Sequence, residues 1–219
     1  MWRYRIGFTA EQLNANLGVQ MSFEDICLFL DSHGLSFTYD LPEQVIRSVI
    51  PQVLGAKYKN PSVMREDAPQ SFSCSSLVSY LYILAGMPWM PSISVDKYVF
   101  GDVITEDELR FGDLIFTNSG EGRIYYETIE WKKGTPVPEG VDHVGVYMGD
   151  GKVLHASKKS GGVAIEDLSI APSFDRIVGY RRIGDITKKH FAVFIPDEMP
   201  ALRNTEAFFT WMSQNKKTP

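Results

Sequence analysis

The sequence predicts an α+β fold, and two observations carry the prediction. Helical patterns come first, through about residue 85, and short β-branched or aromatic runs separated by turn residues come after. The chain has 219 residues, 44% of them hydrophobic and 22% charged, enough for one domain with a proper core and an appendage.

The helices are read in order from their ends. Ser22 precedes "FEDICLFLDSHG", with Glu24 and Asp25 in the first turn and Gly34 as the stop. Asp40 caps a second helix, with Pro42 in its first turn, through "EQVIRSVIPQVL" and ending near Gly55, where Pro51 is expected to kink or divide it. The polar, Pro-containing stretch from Tyr58 to Phe72 reads as loop. Residues 74–85 then form a helix closed by Gly86, with Pro88 two residues on.

The strands follow as "DLIF" (113–116), "HVGVYM" (143–148), "KVLHA" (152–156), "GVAIE" (162–166) and "RIVGYRR" (176–182), an antiparallel set. Between the first two, residues 118–140 read as a long surface loop. In the tail, "ALRNTEAFFTWM" predicts one more helix whose Leu202, Phe209 and Met212 form a stripe that packs onto its own domain. The organisation expected is an N-terminal helical extension (1–43) packed on the domain, a central domain (44–183) and a C-terminal extension with one helix (184–219).

Charge and composition exclude several functions. A net charge of −5 advertises neither nucleic acid nor anionic lipid as a partner. No apolar run approaches the roughly 18–20 residues of a membrane span. The opening "MWRYRIGFTAEQ" lacks the apolar region of a secretory signal, so a cytoplasmic product is expected unless it is exported by another route or by lysis. Two cysteines, Cys27 and Cys74, make neither a disulfide scaffold nor a zinc site.

Cys74 opens its helix, and Ser73 is the natural N-cap. Leu77, Val78, Leu81, Leu84 and Ala85 form the stripe that buries the helix against a sheet. A thiol in a first turn feels unpaired N–H groups, which favour the thiolate. Cys27 sits inside "ICLFL" with no base nearby and reads as a small buried hydrophobe.

The stretch "DHVGVYMGDGKVLHAS" folds on paper as a hairpin. A three-residue loop, Gly149-Asp150-Gly151, makes every opposed pair sum to 300, so His155 faces Gly145. His143 then lies one diagonal step from His155 on the same face, about 7–8 Å between α-carbons. Val144, Val146, Met148, Leu154 and Ala156 fall together on the other face. Gly145 leaves room between the imidazoles. His33, at a helix end, and His190, after two lysines and expected to be solvated, stand apart from the pair. A metal site is not expected, because no third ligand adjoins the two histidines.

These pieces resemble the NlpC/P60 cysteine peptidases, a papain-like α+β family usually acting on peptidoglycan stem peptides. The resemblance spans residues 44–183. It rests on "VIPQVLGAKY", which resembles the helix and loop delivering a tyrosine, and "SCSSLVSYLY", which resembles the nucleophile helix. "LRFGDLIF" resembles the family's Pro-Gly-Asp-Leu strand, "HVGVYMGDGKVLHAS" its paired-histidine hairpin, and "IVGYRRI" its closing strand.

The resemblance implies Cys74 as nucleophile, His143 as general base and His155 as the polar residue that orients His143. An imidazolium partner and the helix start would together make thiolate the major form of Cys74. Tyr58, Ser73 and Ser75 are implied as substrate-binding or oxyanion residues, alongside the backbone N–H of Cys74. Ser73 stands where the family usually carries an aspartate thought to hold the free amine of the substrate's terminal L-alanine. Ser76 stands where it carries glycine. The implied reaction is cleavage of an amide in a stem peptide, such as D-γ-glutamyl–diaminopimelate, with a peptide or muropeptide substrate and no cofactor. Two other functions are weighed beside it: an amidase or acyltransferase on another substrate, and an idle binding module of the same fold.

Overall fold

The computed structural model describes residues 4–215. The outermost residues of both extensions, and with them the start of the opening segment read for a signal, lie outside the described residues.

The chain begins β1 (Arg5–Phe8), α1 (Ala10–Leu17), α2 (Phe23–Ser32), β2 (Phe37–Asp40) and α3 (Pro42–Val53). Next come β3 (Lys57–Tyr58), α4 (Met64–Asp67), β4 (Ser71–Phe72), α5 (Cys74–Leu84) and α6 (Ser94–Phe100). Strands β5 (Asp102–Ile104), β6 (Leu114–Thr117), β7 (Tyr125–Glu127) and β8 (Pro136–Val141) follow. The rest is β9 (His143–Gly149), β10 (Lys152–Ser157), β11 (Gly162–Asp167), β12 (Ile177–Arg182), β13 (His190–Phe194) and α7 (Thr205–Asn215). Two compact units result: residues 4–46, 82–89 and 186–215 form the first, and 47–81 and 90–185 the second.

The first unit takes in the two end segments, residues 4–43 and 186–215. They contribute more than helices: β13 runs antiparallel between β1 and β2, with Phe8 opposite Phe191 and Asp40 opposite His190. Ser22 caps α2 as its sequence requires, accepting from the Asp25 amide while the Asp25 carboxylate accepts from the Ser22 amide. The predicted tail helix is α7, which starts at Thr205 and not at Ala201; Leu202 precedes it in a short 3-10 turn, and Leu202, Phe209 and Met212 are all buried in this unit's own core with Phe8, Leu13 and Phe191. His190 is buried rather than solvated. It lies in the middle strand of the sheet, where His190 to Val193 are buried on both faces, and its Nδ1 lies 2.9 Å from the Gly86 carbonyl. Pro51 does not divide α3, because it falls in the last turn, and the helix closes at Gly55 with a φ of 78°.

The second unit is built on a six-stranded antiparallel sheet, ordered β11-β10-β9-β6-β12-β5. Its central strands place Ile115, Val144, Val146, Leu154 and Ala156 at 0% exposure, which gives the sheet its rigidity. Asp113 and Arg182 join β6 to β12 through two bonds of 2.8 and 2.7 Å, the bidentate geometry in which such pairs are strongest. Two stretches read as loop carry structure. Tyr58 to Phe72 holds the parallel pair β3–β4, and 118–140 holds the pair β7–β8. Asp96, fully buried, fastens the latter segment by accepting from the amides of Ile129 and Glu130 at 2.8 and 3.0 Å. Neither feature announces itself in the sequence, because β3, β4 and β7 are two or three residues long and the six-residue β8 carries two prolines and a glycine instead of a strand pattern.

Candidate active site

The start of α5 is fixed by a reciprocal cap. The Ser76 amide donates to Ser73 Oγ at 3.2 Å, and the Ser73 amide donates to Ser76 Oγ at 2.9 Å. This is the capping-box logic with a serine as its return partner. Ser76 therefore has a local reason to be a serine. Leu77, Val78 and Leu81 are almost wholly buried, so the first two turns of α5 are held from behind. Cys74 sits at the first helical position, 8% exposed.

The sulfur faces the hairpin strand on both sides of His143. Cys74 Sγ lies 3.8 Å from the Asp142 carbonyl oxygen, and the backbone of Val144 also bonds to it. Sequence neighbours of His143 thus bracket the thiol. His143 Nε2 lies 2.9 Å from His155 Nδ1, and His155 Nε2 lies 2.9 Å from Glu166 Oε2. Three adjacent strands, β9, β10 and β11, contribute these three residues to one row.

The hairpin register holds, through a different turn. Val153 faces Tyr147 and Leu154 faces Val146, pairs that sum to 300 as the sequence predicts. Asp150 and Gly151 form a two-residue turn, both at positive φ (50° and 68°), which Asp-Gly tolerates best. A bulge at Lys152–Gly149 absorbs the odd residue and restores the predicted faces. The space at Gly145 is not left open. A Cβ there would meet Val153 Cγ2 at 2.4 Å and Phe174 Cζ at 2.8 Å. The Phe174 ring stands edge-on to both imidazoles, with centroids 5.4 and 5.0 Å away. It excludes water from the pair and holds both ring planes.

The electrostatics depart from the thiolate expected at a helix start. Burial pushes the Cys74 thiol up to about 11, outweighing the backbone donors. Burial pulls His143 down to about 3, with His155 adding to the fall and Glu121 opposing it. His155 is also lowered by burial, against the pull of Glu166. At neutral pH the thiol and both imidazoles are therefore uncharged. A dipole of half a charge cannot offset near-complete loss of water around a thiolate.

Tyr58 is brought close. Strand β3 pairs it with Phe72, two residues before Cys74, and burial and the neighbouring Cys74 both raise its phenol. Ser73 and Ser75 join Ser76, Ser79, Ser92 and Asn60 in lining a cavity of about 300 Å³. None of its described lining residues carries a charge. Ser92 does reach the exposed Glu130 carboxylate at 3.4 Å. Behind Ser79 lies Lys97, 0% exposed, whose Nζ donates to Ser79 Oγ, Pro91 O and Ser92 O at 3.0, 2.6 and 2.7 Å. Burial brings its pKa down to about 7.

Four residues of this neighbourhood escape sequence reading: Glu166, Phe174, Glu121 and Lys97. Glu121 accepts from Ser157, from Ser173 and from the Lys158 amide, tying the 118–122 segment beside the histidines. Asp142 accepts from Ser119 and Gly122 and fixes the same segment from the other flank. Extending the hairpin register by one strand would have found Glu166. Phe174 and Glu121 come from loops whose path no periodicity gives, and Lys97 from the seven-residue helix α6, where a lysine gives no sign of burial. Among the described residues, no group of three or more His, Cys, Asp or Glu is placed to hold a metal ion.

Comparison with known proteins agrees with this architecture. The chain is 30% identical over 112 residues to "Peptidoglycan endopeptidase RipB" of Mycobacterium tuberculosis (strain CDC 1551 / Oshkosh), a match covering 50% of this chain and 38% of that protein. It is 26% identical over 131 residues to "Gamma-DL-glutamyl hydrolase" of Bacillus subtilis (strain 168), covering 60% of this chain and 26% of that one. The chain thus spans well under half the length of these relatives. Among solved structures, an NlpC/P60 family protein from Bacillus cereus shares the fold, with a TM-score of 0.50, 23% identity, and 64% of this chain and 40% of that one covered. The profile of the NlpC/P60 family matches residues 59–182, more than half of the sequence and all of the Cys74–His143–His155–Glu166 row, with Tyr58 one residue outside, and the chain belongs to that family.

Proposed function

We propose that the chain is a cysteine hydrolase that cleaves an amide bond in peptidoglycan-type stem peptides, D-γ-glutamyl–diaminopimelate being the leading candidate. One observation carries the reading: the Cys74 sulfur lies against the backbone flanking His143, and His143 is bonded through its far nitrogen to His155. That arrangement leaves His143 Nδ1 as the nitrogen available to a proton from Cys74. The names of relatives support the bond type, since one is a peptidoglycan endopeptidase and another a γ-DL-glutamyl hydrolase.

Both partners start neutral, so the chemistry begins with general-base attack. His143 takes the thiol proton as Sγ adds to the carbonyl carbon, and a tetrahedral oxyanion forms. The Cys74 amide, at the start of α5, donates to that oxyanion, with the Tyr58 hydroxyl as second donor. His143 then gives its proton to the leaving amine, and water repeats the sequence on the thioester. Substrate binding that displaces water from the cleft strengthens each of these interactions.

The uncharged, serine-lined cavity favours a second reading, amide cleavage or acyl transfer on a substrate without a free amine at that position. Its described lining carries hydroxyls and an amide and no carboxylate.

Incubation of the protein with a muropeptide digest, followed by mass spectrometry, tests the proposal. The expected result is a pair of fragments summing to a parent plus water, absent with Cys74→Ala and with His143→Ala at matched thermal stability. Unchanged muropeptides with the wild-type chain, or cleavage that survives Cys74→Ala, overturn it. Binding of muropeptides without cleavage supports the idle-module alternative.

A further inference from the structure

We propose that Glu166 sets the proton positions of the histidine pair, and so decides which nitrogen of His143 is the base. The inference rests on the cysteine-hydrolase reading of the same site and adds a positioning residue to it.

The register explains how Glu166 arrives. Strand β11 pairs with β10 so that Val153 faces Glu166 and His155 faces Ala164. Facing residues share a side of the sheet, so Glu166 lies one diagonal step from His155 on its own face. His143 lies one diagonal step away on the other side. A glutamate is long enough to span that diagonal, and its oxygen meets His155 Nε2 at 2.9 Å.

The proton order then follows from donor counting. An ionised carboxylate can only accept, so the proton on His155 sits on Nε2. The Nδ1 of a neutral His155 is therefore a lone pair. It lies 2.9 Å from His143 Nε2, which must donate to it. A neutral His143 with its proton on Nε2 carries its lone pair on Nδ1, away from His155. The carboxylate thus fixes the basic atom of a residue it does not touch. Without it, His155 can hold its proton on either nitrogen, and the reversed order puts a proton on His143 Nδ1, where it blocks the base.

Other groups face the pair without making this choice. From the segment before β7, Glu121 acts on both rings, and from the turn after β10, Lys159 acts on His143. Cys74 and Asp142 flank His143 from α5 and from the residue before β9. The Ser160 hydroxyl approaches His155 Nε2 only at 3.4 Å, and it can donate or accept. Of these groups, Glu166 is the one that combines short distance with fixed polarity. Its charge also opposes the effect of burial on His155.

The test is long-range ¹H–¹⁵N correlation of the histidine rings in the full-length, ¹⁵N-labelled chain. At pH 7 the wild type should show both His143 and His155 protonated on Nε2. Glu166→Ala should move His155 toward a mixture of tautomers and lower kcat by roughly tenfold or more, as wrong-tautomer variants of other triads do. Glu166→Gln can still accept through Oε1. It should keep the wild-type tautomers and most of the rate, with the acid limb of kcat/KM moved to lower pH because the stabilising charge is gone. A Nδ1–H tautomer in either wild-type ring overturns the proposal. So does a folded Glu166→Ala with unchanged tautomers and acid limb, or an unmoved acid limb in Glu166→Gln. Should Glu166→Ala not fold, the wild-type spectrum and Glu166→Gln decide. The tautomers are read without substrate, so a chain with the expected spectra and no turnover refutes the hydrolase reading and leaves this one standing.

Discussion

Acid should destabilise this protein well above the range where carboxylates titrate, and His143 is the main cause. Burial holds its folded-state pKa at about 3, against an unfolded value near 6.5. A histidine held neutral by folding contributes stability that is fully present above the unfolded pKa. That contribution is lost as pH falls below 6.5, because only the unfolded chain takes up the proton. Between pH 7 and pH 5 the loss amounts to about 2 kcal/mol for this one ring. His155, lowered by burial in the same row, adds to the slope in the same sense. Glu121, held low by its serine donors despite burial, acts later, below its ordinary range near 4.5. The window from pH 7 to 5 therefore reports histidines. Urea unfolding at pH 7, 6 and 5 measures the slope, and His143→Gln isolates the ring, since an amide does not titrate. The wild type should lose about 2 kcal/mol more than His143→Gln across that window, which is a large part of an ordinary domain's stability. Parallel profiles for the two proteins would mean that His143 is hydrated or already charged when folded, so that the imidazoles are not a neutral pair.

Two more outcomes follow from the same site. Gly145→Ala puts a methyl 2.4 Å from Val153 and 2.8 Å from Phe174, so it should cost about 1–3 kcal/mol and loosen Phe174 from both imidazoles; an unchanged urea midpoint would rule out the close packing described. Cys74, as a buried neutral thiol, should react with iodoacetamide at pH 6 more slowly in the folded chain than after denaturation, and accelerate only in strongly alkaline buffer. Faster reaction in the folded chain at pH 6 would show a thiolate that the structure does not support.

The site was legible in the sequence where a short-range rule governs it. Ser73 reads as a cap because N-caps are local, and the hairpin register follows from a two-residue alternation, which a three-residue loop satisfies on paper and a two-residue turn with a bulge satisfies in the fold. The ionisation of Cys74 was not legible. It depends on how completely the chain covers the sulfur, a sum over groups distant in sequence, and that sum reverses the local argument from the helix start. Phe174 and Glu121 lie in stretches without periodicity, so the packing against the imidazoles and the tie beside them could be seen only in three dimensions. His190 shows the same limit in the other direction. Two preceding lysines suggest water, whereas its place in a central strand buries it.

The three-stranded sheet of the first unit has a consequence for synthesis. Its middle strand, β13, is the last of the three to be translated, and Asp40 must wait for His190, about 150 residues later, before it can pair. At about 5–20 residues per second, β1 and β2 leave the ribosome on the order of ten seconds before their shared partner. During that interval two strand edges and the aromatic face of Phe8 have no native cover from β13. This unit is thus one that chaperones would meet on the nascent chain, and slowing translation after residue 40 should raise aggregation of the newly made protein more than slowing it after residue 194.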